Sequence, residues 1–336
     1  MKRNMKQWVA DTLAASSKKP MPVLSFPAIQ MMDITVKELI SSSDLQAKGM
    51  KLVADRVDAA ASVSLMDLSL EAECFGSTIR FSDDEVPTVI GSVVSTEEEA
   101  DALEIPEIGA GRTAIYIEAI EKAVKMIEDR PVFAGVIGPF SLAGRLMDVS
   151  EAMVYCYDEP DMVHTVLEKV TQFIIKYCLE YKRVGANGVV IAEPLAGLLS
   201  PSLAEEFSSD YMKKIVDAVQ DDEFIVVYHN CGNSVVQQID SILKIGAPVL
   251  HFGNAIDMAD MMPLIPADVL AAGNVDPASQ FRNGTVDSIK KETKDLMEKC
   301  CKYPNFVISS GCDIPPMSKW ENIDAFFEAV KEYYAG

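Results

Sequence analysis

Basic residues are scarce in this sequence relative to acidic ones. Its 336 residues include 30 Lys and Arg against 51 Asp and Glu, which gives a formal net charge of −21. Proteins that bind nucleic acid need a surplus of Lys and Arg to neutralise phosphates, and anionic membrane surfaces attract the same residues. The charge balance therefore predicts that neither nucleic acid nor a membrane surface is a partner of this protein.

Long apolar runs are missing as well. The apolar runs, such as residues 225–228 and 249–252, are far shorter than the ~20 residues that a helix needs to span a bilayer. The basic residues 1–8 are not followed by the apolar region of a secretory signal. Seven cysteines are an odd number, which suits reduced thiols better than a disulfide framework. We therefore expect a cytoplasmic protein.

The pattern that is present is an alternation of short apolar runs with longer amphipathic stretches. Near-continuous apolar runs are typical of parallel strands that are covered on both faces. An eightfold alternation of strand and helix predicts an α/β protein with the (β/α)8 TIM barrel fold. The predicted strands are residues 22–29, 60–67, 132–139, 188–194, 224–231, 249–254, 268–277 and 306–315.

No linker rich in Pro, Gly or Ser divides the chain. We therefore predict one barrel domain over residues 1–336 with an N-terminal helix, since barrels of this length are common. A long insertion after the second strand, at about residues 74–130, is expected to carry a small hairpin around residues 79–81 and two helices.

Metal-binding residues lie at two of the predicted strand ends. His229 and Cys231 are two positions apart on an extended segment, so their side chains project to the same side. Cys312 ends the last predicted strand, and strand ends in such barrels meet at the catalytic face. One His and two Cys form a zinc set with an open position, as in catalytic sites. The alternative is that each cysteine is a small buried apolar group.

Several motifs resemble one known family over nearly the whole chain. Four of them are Gly138-Pro-Phe-Ser-Leu-Ala-Gly144, Tyr228-His-Asn-Cys-Gly-Asn233, Asn274-Val-Asp-Pro277 and Ser309-Ser-Gly-Cys-Asp-Ile-Pro-Pro316. These motifs resemble the uroporphyrinogen decarboxylase superfamily. A fifth motif, Met66-Asp-Leu-Ser-Leu-Glu-Ala-Glu-Cys-Phe-Gly76, more narrowly resembles its corrinoid-dependent methyltransferase branch, which includes the methylcobamide:coenzyme M methyltransferases. The resemblance implies the (β/α)8 barrel and a zinc ion bound by His229, Cys231 and Cys312.

The resemblance implies a methyltransferase of the EC 2.1.1 type in one-carbon metabolism. A methyl group would move from a methylcobalamin-type corrinoid, presented by a partner corrinoid protein, to a small thiol such as coenzyme M, held as a zinc-bound thiolate. The first alternative is demethylation of a methoxylated or N-methylated small molecule onto Co(I) corrinoid. A less favoured alternative is uroporphyrinogen decarboxylase, because residues 26–33 lack the arginines expected to bind a polycarboxylate substrate. A non-catalytic zinc-binding barrel is disfavoured by the open ligand set.

Other residues at the strand ends have candidate roles. Asp67 falls where the decarboxylase has its essential aspartate, and is a candidate for orienting substrate. Glu193 is expected either to approach the zinc as a reserve ligand or to pair with an arginine in the region of Arg145 or Arg183. The amides of Gly138 and Ser141 are candidates for binding a substrate anion or the corrinoid tail, although Ser141 can also act as a helix cap. Asn254 is a candidate polar group near the zinc.

Overall fold

A computed structural model, which describes residues 2–336, shows a curled, mostly parallel sheet surrounded by helices. The sheet has seven strands in the order β1-β4-β5-β6-β7-β8-β9, and every adjacent pair in it is parallel. The strands along residues 2–336 are β1 (Ser62–Val63), β2 (Thr78–Arg80), β3 (Thr88–Ile90), β4 (Val132–Ile137), β5 (Gly188–Ala192), β6 (Ile225–Asn230), β7 (Val249–Phe252), β8 (Leu270–Val275) and β9 (Phe306–Ser310).

The helices cover the outside of this sheet, so the strands between them are buried along their whole length. The α-helices are α1 (Met5–Ala14), α2 (Ala28–Met32), α3 (Val36–Ile40), α4 (Ser43–Arg56), α5 (Leu70–Cys74), α6 (Glu97–Ala102), α7 (Thr113–Met126), α8 (Pro139–Met147), α9 (Val149–Asp158), α10 (Pro160–Arg183), α11 (Pro201–Ala204), α12 (Asp210–Val219), α13 (Ile239–Lys244), α14 (Met258–Met261), α15 (Val286–Cys300) and α16 (Trp320–Ala335).

The predicted barrel is confirmed, but the prediction of its first strand is wrong. The apolar run predicts a strand over residues 22–29, whereas residues 21–27 form neither strand nor helix and α2 begins at Ala28. Pro20 and Pro22 lack the backbone N–H that a strand ladder requires. The segment still closes the barrel, because the Met21 N–H donates to Ile308 in β9 and Pro20 accepts from Ala60 near β1.

The segment after β1 contains the elements expected of the insertion. Strands β2 and β3 form an antiparallel hairpin with Thr78 opposite Ile90, which confirms the hairpin predicted around residues 79–81. Helices α6 and α7 follow it, and α7 packs against α4 on the outside of the barrel. None of the helices within residues 2–336 combines the length and the apolar character required to cross a bilayer.

Candidate metal centre

Three soft ligands meet at the carboxyl end of the barrel. His229 lies in β6, Cys231 directly follows that strand, and Cys312 lies two residues after β9. Their ligand atoms all lie within 4.8 Å of one another, and Cys312 Sγ is 3.5 Å from His229 Nε2. Two ligands of a tetrahedral zinc ion lie roughly 3.6 Å apart. The donor set and its spacing therefore fit zinc.

A glycine on the adjacent loop makes room for this cluster. A Cβ atom at Gly253 would lie 2.4 Å from the Cβ of Cys231, which is closer than two carbon atoms can pack. Gly253 follows β7, the strand whose His251 is paired with His229 in the sheet. The lack of a side chain at this position therefore lets the chain after β6 bring Cys231 to His229.

A hydrogen-bond relay orients the ring of His229. The Ser309 hydroxyl donates to the carbonyl oxygen of Met21 at 2.7 Å, so its lone pairs remain to accept from His251 Nε2, also at 2.7 Å. The other nitrogen of His251 is then an acceptor, and His229 Nδ1 lies 2.7 Å from it. His229 therefore donates from Nδ1 and keeps the lone pair of Nε2 for a metal, as ligating histidines do in general.

The two thiols of the cluster shift each other's pKa in opposite directions. A hydrogen bond from Cys312, followed by contact with His229, holds the pKa of Cys231 well below its usual range. The same interaction with Cys231, together with burial, raises the pKa of Cys312. The interaction between the two sulfur atoms therefore favours ionisation of one thiol and opposes ionisation of the second. A divalent metal ion favours ionisation of both, because each ligand must be deprotonated to bind it.

The ligands line a cavity of about 320 Å³, which lies in the range of small-molecule sites. Most of the lining is apolar and comes from the ends of several strands. Glu85 of the β2–β3 loop also lines the cavity, so the hairpin contributes to its wall. The remaining charged groups are Arg145, Arg282 and Asp313, and Arg282 pairs with Glu85 at 2.7 Å.

Both carboxylate oxygens of Asp67 accept hydrogen bonds within a buried network beside this cavity. One carboxylate oxygen accepts from Arg112 and from the Tyr116 hydroxyl, and the other accepts from the Ser69 hydroxyl and backbone N–H. Arg112 also pairs with Glu73. These contacts connect the end of β1 to α5 and α7, so they favour a structural role for Asp67 over contact with substrate.

Glu193 lies at the carboxyl end of β5 but caps a helix. One oxygen accepts from the Ser141 N–H at 2.9 Å, and the other accepts from the hydroxyl of Ser208 in the π-helical turn Glu205–Ser209. A Cβ atom at Gly138 would lie 2.2 Å from this carboxylate. Gly138 therefore leaves space for the Glu193 carboxylate, and its own N–H donates to Ala192. The Ser141 amide, which is expected to bind an anion, already has Glu193 as its acceptor. Burial raises the pKa of Glu193 to about 7.

Comparison with known proteins identifies the family. The family model described as uroporphyrinogen decarboxylase (URO-D) matches residues 19–333. The chain belongs to the uroporphyrinogen decarboxylase family. This finding, together with the relatives below, confirms the resemblance of the sequence motifs.

Two kinds of curated relatives in the family are similar to this chain. A methylcobamide:CoM methyltransferase, MtbA, of Methanosarcina acetivorans is 27% identical and aligns over 80% of this chain and 78% of its own length. A uroporphyrinogen decarboxylase of Coxiella burnetii is 26% identical over 74% of this chain and 70% of its own length. A solved methyltransferase from Methanosarcina mazei superposes with a TM-score of 0.86 at 22% identity, covering 99% of both chains, which establishes the shared fold.

In this family member, Asn254 is not among the residues that line the metal cavity. Its side chain is exposed and lines a separate surface depression with Asp257 and Asp276. A Cβ atom at Gly311, the residue before Cys312, would lie 2.8 Å from Asn254 Oδ1, so Asn254 lies beside the loop that carries Cys312. Asp313, in contrast, follows Cys312 and lines the metal cavity, where its Oδ1 is buried without a partner among residues 2–336.

Sequence reasoning did not single out the residues that support or extend the site. Arg145 was considered only as a partner for Glu193, yet it lines the cavity itself. The available signal was its position as the single charged residue of α8. The structure also places His251 directly behind His229, with the Nδ1 atoms of the two rings 2.7 Å apart.

Proposed function

We propose that this protein is a zinc-dependent methyltransferase that transfers a methyl group from a corrinoid, carried by a partner protein, to a small thiol. The observation that carries the proposal is the cluster of His229, Cys231 and Cys312 on the wall of a cavity at the carboxyl end of the barrel. The similarity to methylcobamide:CoM methyltransferases supports it.

The residues of the site suit a thiol acceptor. Two thiolates and one neutral imidazole would balance the charge of a zinc ion, and the cavity adjoins this ligand set. When bound there, zinc would lower the pKa of an incoming thiol and hold it as a nucleophile. In the transfer, the thiol sulfur would form the new bond to the methyl carbon while the cobalt–carbon bond of the donor breaks, and the electron pair of that bond would stay on cobalt, which goes from Co(III) to Co(I).

The alternatives make different demands on the same cavity. Demethylation of a methoxylated or N-methylated molecule onto Co(I) would use the same ligands in the opposite direction of methyl transfer. Decarboxylation of a porphyrinogen requires several cationic partners for the substrate's carboxylates. The arginines that line this cavity are Arg145 and Arg282, and Arg282 is already paired with Glu85, so decarboxylation is less well supported.

Metal analysis and a spectral assay test the proposal together. We expect about one zinc per chain, as in single-ion catalytic sites, with loss of most of it in Cys312→Ser. Cys301→Ser is the matched control, because Cys301 is also half-buried but contacts Tyr334 at 3.8 Å. Mixing the zinc-loaded protein with methylcobalamin and a panel of thiols should produce the Co(I) spectrum and a methyl thioether.

The outcomes separate the candidate functions. If no thiol accelerates demethylation of methylcobalamin, methyl transfer to a thiol is contradicted. Methylation of Co(I) by a methoxylated or N-methylated compound would instead support the reverse direction. Activity of metal-free protein on a porphyrinogen would support decarboxylation.

A further inference from the structure

A second depression lies at the carboxyl end of the barrel, outside the metal cavity. It has a volume of about 490 Å³ and is lined by residues that follow β7, by the end of β8 and by one side of α15. We call it the β8 depression. Asn274 and Asp276 of the motif Asn274-Val-Asp-Pro277 line it, and neither residue lines the metal cavity. The metal centre therefore leaves this motif without a role.

Asn274 contributes a polar side chain that is more than nine-tenths buried. Its residue is 8% exposed, and its Nδ2 donates to the carbonyl oxygens of Gly253 at 2.8 Å and Ile256 at 2.9 Å. Both amide hydrogens are therefore used. No donor among residues 2–336 is hydrogen-bonded to the Oδ1 atom on the other side of the amide carbon. Because Asn274 lines the β8 depression, this oxygen is available to a ligand, and such a ligand would remove the cost of leaving it unpaired.

Two carboxylates beside Asn274 each use only one oxygen within the described chain. Asp276 Oδ1 accepts from the backbone N–H groups of Ala278 and Ser279. Glu292 Oε1 accepts from the backbone N–H of Asp276 at 3.1 Å, which holds the two acidic residues side by side. The second oxygen of each carboxylate therefore remains free to accept from a ligand.

The lysine of the β8 depression leaves most of its negative charge uncompensated. Four carboxylates line the depression, and Lys299 is the cation among the lining residues. Lys299 contacts Asp257 at 3.5 Å, which is a long distance for an ion pair, and it leaves Asp276 and Glu292 to other partners. The depression therefore attracts a cation from outside the chain.

The spacing of the acceptors favours an organic cation over a bare metal ion. Apart from His229, Cys231 and Cys312, no three His, Cys, Asp or Glu residues among residues 2–336 bring their ligand atoms close enough for one ion. The acceptors of the β8 depression are therefore spread out. A guanidinium group is planar and presents five N–H donors, so it can reach an amide oxygen and two carboxylates together. An ammonium group concentrates its three donors on one nitrogen.

We propose that the β8 depression binds an alkylguanidinium group through Asn274, Asp276 and Glu292. The group belongs either to a small molecule or to an arginine side chain of a docking protein, since both present the same donors. Asn254 also lines the depression, and a Cβ atom at Gly311 would lie 2.8 Å from its Oδ1. A bound guanidinium would therefore lie beside the loop that carries the last metal ligand. The proposal does not depend on methyl transfer.

Calorimetric titration at low ionic strength tests the proposal on the wild-type protein. The probes are methylguanidinium, methylammonium, tetramethylammonium and magnesium chloride. Tetramethylammonium carries the same charge as methylguanidinium but has no hydrogen-bond donor. We expect methylguanidinium to bind at one site, about 10- to 100-fold more tightly than tetramethylammonium, as is usual for hydrogen bonds to charged groups. If any of the other three probes binds as tightly as methylguanidinium, the proposal is overturned.

Two variants on α15 assign the binding to the β8 depression rather than to the acidic surface in general. Glu292→Gln removes a charge but keeps an oxygen for the Asp276 N–H, and the affinity for methylguanidinium should fall about 10-fold. Glu298→Gln is the matched control, because Glu298 is exposed on the same helix and does not line the depression. It should bind as the wild type does. Equal affinities in the two variants would overturn the proposal.

Asp276→Asn provides the same test if Glu292→Gln does not fold, because asparagine keeps an oxygen for the Ala278 N–H. A further titration with the tripeptide Gly-Arg-Gly identifies the source of the guanidinium. Binding as tight as that of methylguanidinium supports an arginine side chain of a docking protein. Binding of methylguanidinium without binding of the tripeptide supports a small molecule.

Discussion

At the scale of single residues, His229 shows how a side chain outside the ligand set prepares a metal site. The proton on its Nδ1 is fixed by His251, and the proton of His251 is fixed by Ser309. Burial lowers the pKa of His251 well below its ordinary range, so its ring is neutral and accepts from His229. Metal affinity should therefore depend on Ser309, although its hydroxyl donates to the Met21 carbonyl and is not a ligand.

Ser309→Ala tests this dependence. Without the hydroxyl, His251 Nε2 loses its acceptor, and moving the proton to Nδ1 would force His229 to carry its own proton on the metal-binding nitrogen. We expect the zinc dissociation constant to rise about 10- to 100-fold, measured by competition with a chromophoric chelator. Ser310→Ala is the matched control, because its hydroxyl is equally buried but accepts from Val23. Equal zinc affinity in the two variants would contradict the relay.

At the scale of elements, a buried ion pair connects the insertion after β1 to the barrel. The ion pair between Asp67 and Arg112 is almost completely buried, with the two side chains 0% and 10% exposed. Arg112 also pairs with Glu73 of α5. The same insertion supplies the hairpin loop that lines the cavity, so this contact links the wall of the site to the sheet.

Asp67→Ala separates a structural role from a catalytic one. It leaves Arg112 without its main partner, and breaking a buried pair in this way costs about 3–5 kcal/mol of unfolding free energy. Urea denaturation measures that loss, and zinc content should not change. Asp44→Ala is the control, since Asp44 pairs with Lys122 between exposed helices, and about 1 kcal/mol or less is expected. Unchanged stability combined with lost methyl transfer would show that Asp67 acts in catalysis.

The elements also show how far sequence reasoning reaches. Parallel strands of similar length bring their ends together, so the meeting of His229, Cys231 and Cys312 could be predicted without knowing the packing of any helix. The sequence does not show how a helix is rotated about its axis. Arg145 faces the cavity because of the rotation of α8, so this position could not be predicted. Hydrogen-bond partners distant in sequence are also invisible, and these partners occupy Asp67 and Glu193. The missing first strand follows from Pro20 and Pro22, which have no backbone N–H to donate to a neighbouring strand.

At the scale of the whole molecule, the acidic surplus and the core respond to pH in the same direction. The surface carries most of the −21 charge, and repulsion among like charges weakens the folded state as carboxyl groups ionise. Inside the barrel, Glu71 and Glu193 are fully buried, and burial raises the pKa of each from 4.5 to about 7. Both effects predict a protein that is more stable in mild acid than at neutral pH.

Glu193→Gln isolates the buried contribution from that of the surface. Between pH 4.5 and about 7, Glu193 keeps its proton in the folded state and loses it in the unfolded chain. The folded state then binds more protons than the unfolded chain. The contribution of the Glu193 proton to the free energy of unfolding is therefore complete below about pH 4.5 and is lost as the pH rises to about 7. Relative to Glu193→Gln, the wild-type free energy of unfolding should fall by about 3 kcal/mol over this interval. Denaturant titrations at successive pH values measure the difference.

Glu298→Gln, on the exposed side of α15, is the control and should give a difference independent of pH. A similarly flat difference for Glu193→Gln would mean that the Glu193 carboxylate is already ionised in the folded barrel, stabilised by its hydrogen bonds from Ser141 and Ser208.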